Sequence, residues 1–200
     1  GSITKFINNP KALVIGDVRY SKNIFSFRWT NAEREAIGIY EVEFDNTNKK
    51  DEKWYNNTNQ SFAFAGGKIT ASYGSATPKA HADTTWTQQD SDDGDLPSNK
   101  SVGDIKVRGL KYNLIKTIKS QAAGELQNTD WYIVRKADAG TAVPSSITTH
   151  RAAVRTKAAE QETAITNAAD TPALETLYTY TEQEDGSVTR PLGELPRLES

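Results

Sequence analysis

Few residues of this chain have types and spacings that invite chemistry. Asp90-Ser91-Asp92-Asp93-Gly94-Asp95 has the look of a calcium loop. An EF-hand loop needs glycine at its sixth place and a bidentate glutamate at its twelfth. Counted from Asp90, Gly94 is fifth and Ser101 twelfth, and counting from Asp92 or Asp93 fares no better. The run therefore reads as a solvated acidic segment. His150 stands beside Arg151, and Arg151 and Arg155 share a helix face. That set suits an anion, but it reads more simply as a surface face paired with Glu160 and Glu162. His81 lies in a polar stretch without an acid, hydroxyl and oxyanion set around it. Glu41, Glu43 and Asp45 alternate along a strand and so line one surface. A carboxylate pair for sugar hydrolysis needs more than proximity, and a solvated strand face explains them equally well. No G-x-S-x-G, P-loop or H-E-x-x-H occurs. Asn56-Asn57-Thr58 matches a glycosylation acceptor by letter and reads as a loop.

Composition narrows the classes further. The 200 residues contain no cysteine, which excludes disulfides, zinc-thiolate sites and cysteine nucleophiles. Two histidines leave almost no room for a multi-histidine metal site. A net charge of −2 and a pI near 5.8 give no electrostatic case for nucleic acid or an anionic membrane. No apolar run approaches the roughly 18 residues of a membrane span, and the N-terminus lacks the basic-then-apolar pattern of a signal peptide. No catalytic residue, cofactor or metal is expected.

The elements change character along the chain. Residues 11–73 look β-rich. Ala12-Leu13-Val14-Ile15 is an apolar run closed by Gly16-Asp17, and Ile24 to Trp29 has the aromatic and β-branched content of a strand. Thr30-Asn31-Ala32-Glu33 is a capping box that should open a short helix ending at Gly38. Ile39 to Phe44 alternates polar and apolar side chains. Ser61 to Phe64 and Lys68 to Tyr73 should form a hairpin with Gly66-Gly67 in the turn. The aromatics Phe25, Phe27, Trp29, Tyr40, Phe44, Trp54, Tyr55, Phe62, Phe64 and Tyr73 are expected to form the domain's core, with one or two exposed. The alternative is a platform for carbohydrate or a partner.

Residues 74–101 are rich in Gly, Ser, Thr, Asp and Pro and have Trp86 as their largest apolar residue. This composition predicts an extended or mobile linker that a partner would order, with Trp86 as anchor. From about Val102 the period lengthens. Ile105, Leu110, Leu114, Ile118, Ala122 and Leu126 give one apolar helix face. Thr129 can cap a short helix carrying Trp131 and Val134, a run that also fits a strand. A long helix begins near Ser146 and carries Ile147, Val154, Ala158, Ile165 and Ala169. Its heptad seam also includes the polar Arg151 and Gln161, which is poor for a coiled coil. Thr171-Pro172 suggests a further helix with Thr171 as N-cap. Arg190 to Pro196 reads as an extended, Pro-bounded tail.

Thr129-Asp130-Trp131, then Arg135, the Gly140/Pro144 break and His150-Arg151-Ala152-Ala153-Val154-Arg155 resemble a stretch of bacteriophage tail assembly chaperones and tail-fibre assembly proteins. In those families a T-D-W segment precedes a Y-R-x-x-L/V-R helix, and His150 stands here where the family usually has Tyr. Arg190-Pro191-Leu192-Gly193-Glu194 is similar to tail ends of marine phage versions. Gly16-Asp17-Val18-Arg19-Tyr20 with Ala36-Ile37-Gly38-Ile39 is similar to modules of phage tail-region proteins. The helical resemblance covers residues 105–195 and the second about 15–45. It implies a tail-module gene more firmly than chaperone activity.

These readings combine into an α+β protein with a β-rich N-terminal domain (1–73), a polar linker (74–101), a helical hairpin or bundle (102–183) and an extended tail (184–200). The function expected is a non-enzymatic structural or interaction protein of a phage tail, fibre or baseplate, made in the host cytoplasm and carried in the virion. The alternatives are an assembly chaperone absent from the particle and, third, a glycan-binding tail protein. The expected partners are other tail proteins and further copies of this chain, with no nucleic acid and no membrane. Trp131, Trp86, Arg151 and Arg155 are the expected interaction residues.

Overall fold

A computed structural model of the chain describes residues 3–198, so the outermost positions of the predicted first and last segments, 1–2 and 199–200, lie outside the description. The protein is α+β. Its contacts divide it into two units, Gly1–Thr77 and Pro78–Ser200.

The first unit opens with a hairpin of β1 (Leu13–Ile15) and β2 (Val18–Tyr20), turned at Gly16-Asp17 with Gly16 at positive φ. The expected strand over Ile24 to Trp29 is not formed. Lys22–Phe25 is instead a 3-10 turn. Ser21 Oγ accepts from Asn23 N–H, and Ser26 Oγ donates to the Asn23 carbonyl at 2.6 Å. These local side-chain bonds compete with sheet pairing and win. Helix α1 (Asn31–Ala36) has the predicted capping box, with Thr30 N–H donating to Glu33 Oε2 at 2.7 Å and Glu33 N–H to Thr30 Oγ1. It ends as predicted at Gly38, where Gly38 and Ile39 N–H bond back to the carbonyls of Glu35 and Arg34.

After β3 (Val42–Asp45) and the short β4 (Tyr55–Asn56) comes the predicted hairpin of β5 (Gln60–Ala65) and β6 (Lys68–Tyr73). Gly66 and Gly67, both at positive φ, form its turn. The order is β3-β6-β5, with β3 parallel and β5 antiparallel to the central β6. One face carries Val42, Ile69 and Phe64 in one row and Phe44, Ala71 and Phe62 in the next. The aromatic core expected for this unit is not found. Of those ten aromatics only Trp54 is buried, while Phe27 is 95% and Phe44 66% exposed. Ile24 and Ala71 complete the buried apolar set of the unit. The alternation placed these rings on one sheet face, but few atoms of this unit lie over that face.

The strand β7 (Thr77–Pro78) marks the boundary. The second unit contains β8 (Thr84–Thr85), α2 (Gln88–Asp92), β9 (Ile105–Val107), α3 (Leu110–Gln127), α4 (Asp130–Ala139), α5 (Ser145–Asn167), α6 (Thr171–Tyr178) and the hairpin β10 (Thr181–Glu182)–β11 (Val188–Thr189). Helices α3 and α5 run antiparallel. Lys111 at the start of α3 bonds the Thr166 carbonyl near the end of α5, and Arg151 near the start of α5 bonds the Leu126 carbonyl near the end of α3. Ile118 and Ala122 of α3, Ile147, Val154, Ala158 and Ile165 of α5, and Leu174 of α6 are buried. Each large side chain of this set contributes about 1.5–3 kcal/mol.

Four expectations need correction in this unit. The polar stretch 74–101 contains β8 and α2 rather than a bare linker. Its backbone supplies what a helix start lacks, because the first amides of α3 have no partner inside the helix. Leu110 and Lys111 N–H donate to the carbonyls of Ala80 and His81, and Gly109 N–H to Asp83 Oδ1. Ile105 accordingly belongs to β9, paired with Thr85, and the helix starts at Leu110. Asp170, not Thr171, caps α6 by accepting from Ala173 N–H, while Thr171 Oγ1 donates to the Lys79 carbonyl. The tail is not simply extended. Gln183 to Ser187 turns β10 into β11, and Leu192, 2% exposed, bonds through its N–H to the Leu177 carbonyl. The Trp131 to Val134 run is helical, in α4.

A Cβ at Gly109 would lie 2.3 Å from the backbone carbon and oxygen of Ala82. Gly109→Ala is therefore expected to destabilise the second unit by about 1–3 kcal/mol, because backbone, not a flexible side chain, must move. Urea unfolding followed by helical circular dichroism measures this; an unchanged midpoint would show that the 78–109 segment does not rest on α3.

Candidate docking surface

Arg151 was expected on an exposed face. It is 7% exposed and works inside the fold. Its guanidinium donates to the Leu126 carbonyl at 2.8 Å and to Thr129 Oγ1 at 2.6 Å, and pairs with Asp130 at 2.8 Å. Thr129 sits at the N-cap of α4, but its hydroxyl donates to the Leu126 carbonyl instead of capping. One side chain of α5 thus ties the end of α3 to the start of α4. Arg155 lies exposed one turn on and reaches only the Arg151 carbonyl, at 3.5 Å. The acids expected to pair with this face bond lysines instead, Glu160 with Lys157 and Glu162 with Lys119. His150 is buried with no hydrogen-bond partner at Nε2, and nothing in its surroundings gives it a chemical role.

Trp86 is also an internal anchor. It is half-buried, its N–H bonds the Asp104 carbonyl and its carbonyl accepts from Gly103, and Lys106 Nζ lies 4.4 Å above its ring. Lys106 pairs with Asp90, whose carboxylate also caps α2 through Thr87 N–H. The Lys106 bond first, then the Thr87 bonds, hold the Asp90 carboxyl down at about 2. Asp83 is lowered similarly by Gly109 N–H and Arg108. Two other acids of the run serve the same helix, Asp92 bonding Gln88 and Asp93 bonding Gln89. Among the described residues no group of three or more His, Asp or Glu is placed to hold a metal ion. On β3 the carboxylates are likewise used locally: Glu43 pairs with Lys68, Asp45 accepts from Thr47 N–H, and Glu41 accepts from Asn31.

Trp131 alone of the four expected residues presents an aromatic surface. It is 50% exposed, packs its ring 3.8 Å from that of Tyr132, and has the Arg135 guanidinium 4.7 Å from its centroid. Val134, 65% exposed, lies one turn on, and Ile133 adds further apolar area. No residue of α4 is buried. The helix is held at its first turn by the Arg151 node and stopped by Gly140 in the left-handed conformation. Ile133 and Val134 were missed as surface residues, because periodicity marks them apolar and cannot say that nothing covers them. A shallow trough on α5 is lined by Thr156, Ala159, Glu160, Thr163 and Ala164. It holds one acid and no base or nucleophile beside it. No helix among the described residues is long and apolar enough to cross a membrane.

Arg151→Ala leaves the Leu126 carbonyl and the Thr129 hydroxyl short of a charged donor, and thermal unfolding should show a loss of about 2–4 kcal/mol. Asp130→Asn should cost less than about 1 kcal/mol because that carboxylate is largely exposed. Equal losses would show that the ion pair, not the backbone bond, holds the junction. For Asp90 the folded pKa lies below the ordinary 3.8, so its contribution is complete above about pH 4 and lost as pH falls through about 2. An NMR titration of the Asp90 carboxyl should give a midpoint near 2; a midpoint near 3.8 would mean that the Lys106 and Thr87 bonds are not kept in solution.

Compared with family models, curated proteins and solved structures, the chain has no match in any of the three.

Proposed function

We propose that this chain is a non-enzymatic structural protein of a bacteriophage tail, tail fibre or baseplate that acts by docking on neighbouring virion proteins. The observation that carries the docking part is α4, a helix with no buried residue that displays Trp131 and Val134, one turn apart, from an anchored first turn. A preformed helix with an aromatic ridge suits a hydrophobic groove on a partner. The phage assignment rests on the resemblance of the Thr129-Asp130-Trp131 and His150 to Arg155 segments. Thr129 and Asp130 of the first segment both bond Arg151 of the second, some twenty residues on. Residues that bond one another across the helical module form a unit that can recur as a motif. The docking surface would carry no chemistry, because the acids and histidines nearest to hand are engaged in structure or isolated.

Mass spectrometry of purified infectious particles encoding the chain should find it at a defined copy number. Absence from particles with abundance in the lysate would hand the role to an assembly chaperone. Trp131→Ser should leave stability nearly unchanged, since the ring packs only on its own helix, and should weaken incorporation by about 2 kcal/mol, roughly thirtyfold. Normal incorporation of that variant would remove α4 as the docking element.

A further inference from the structure

We propose that two copies of this chain join edge to edge through β5, in antiparallel register around a two-fold axis at Ala63. This goes beyond the docking of α4 and does not depend on it. In the sheet order β3-β6-β5 the two outer strands are unequal. The β3 edge carries the exposed Glu43 and Asp45 and follows Glu41, and charges along a strand discourage the pairing of a sheet edge. The β5 edge, Gln60-Ser61-Phe62-Ala63-Phe64-Ala65, has no charge, no proline and no break in its register with β6. Six uncharged residues of this kind form an open template for another strand.

The register fixes which groups are available. The pair Ala65↔Lys68 closes the two-residue turn, so Ala65, Ala63 and Ser61 exchange hydrogen bonds with β6. Gln60, Phe62 and Phe64 therefore turn their N–H and C=O groups outward, and no described residue bonds them by its backbone. Phe62-Ala63-Phe64 reads the same in both directions, as an antiparallel pair about a two-fold axis requires. Phe62 of one copy lies beside Phe64 of the other, both on the apolar face, where aromatic cross-strand pairs are favourable. On the polar face the two Ala63 side chains oppose each other, with only methyl groups between the strands. Phe6, 4.5 Å from Phe62, and Tyr40, 4.7 Å from Phe64, already cover part of the apolar face. The remaining open route is sideways, along the edge, and the occupant that matches a neutral, self-complementary strand is the same strand.

Sedimentation velocity of the full chain should show a dimer in the micromolar range. Ala63→Lys and Ala63→Glu, each at an exposed position on the polar face, should each raise the dimer dissociation constant about tenfold or more, because like charges then face one another across the axis. An equal mixture of the two variants should restore dimerisation. Phe64→Pro, which removes an outward amide that β6 does not use, should also give monomer with the sheet signal kept. Trp131→Ser should remain dimeric, which separates this interface from the α4 surface. A wild-type chain that stays monomeric through the micromolar range overturns the proposal, as does a dimer indifferent to these β5 substitutions or a charge-swapped mixture that stays monomeric.

Discussion

The helical unit depends on two polar side chains buried in the seam of α5, each of which reaches a backbone carbonyl outside its own helix. Arg151 bonds the last turn of α3. Gln161 Nε2 bonds the Gly193 carbonyl at 3.0 Å and so holds the tail against the helix. A buried guanidinium is tolerated only with acceptors around it, since desolvation of a charge costs several kcal/mol. Here three acceptors converge on it, and all three belong to the junction it must position. Replacing such a residue with an apolar one of similar size would spare the desolvation and lose the register. The same seam contains Ile147, Val154, Ala158 and Ile165, so the apolar burial and the polar ties lie on one stripe of one helix.

The two units solve the problem of small size differently. The second gathers helices on α5 and recruits the polar 78–109 segment through hydrogen bonds to the start of α3. That segment needs little hydrophobic burial of its own, because the orphan donors of a helix N-terminus give it fixed partners. The first unit has only Ile24, Trp54 and Ala71 as buried apolar residues and leaves Phe27, Phe44, Phe62 and Phe64 in contact with solvent. A body of this size is marginal even with a full core. Its apolar sheet face and neutral β5 edge are the places where further burial can be gained.

What could be read from the sequence was local and periodic. The Thr30-Glu33 capping box, the Gly66-Gly67 hairpin turn and the Gly38 stop depend on neighbours within a few residues, and they formed as their chemistry dictates. The α5 seam was also visible, at Ile147, Arg151, Val154, Ala158, Gln161 and Ile165, but its polar members counted against it as a coiled-coil stripe. They fit because their partners are carbonyls from the end of α3 and from the tail, which no heptad rule supplies. The aromatics of the first unit were misread for a related reason. Alternation tells which side chains share a face, and it is silent on whether anything in the chain is left to cover that face. Trp86 and Arg151 look like exposed anchors in a list of large or charged residues. Only the packing shows that Asp104, Lys106, Leu126 and Thr129 occupy them.

The order Thr129-Asp130-Trp131 then has a physical reason. Successive residues of a helix are about 100° apart, so three in a row cannot share a face. Thr129 and Asp130 turn toward Arg151, and Asp130 also places a negative charge in the first turn of α4, where the helix dipole favours it. Trp131 is thereby carried round to the open side, with Tyr132 and Arg135 packed against its ring. The ordering of the ridge is thus met by the fold before any partner arrives. A partner that binds it need not supply the entropy of forming the helix, only that of docking. The same three residues therefore link folding to display: what fixes the α3–α4 junction also sets the direction in which the aromatic points.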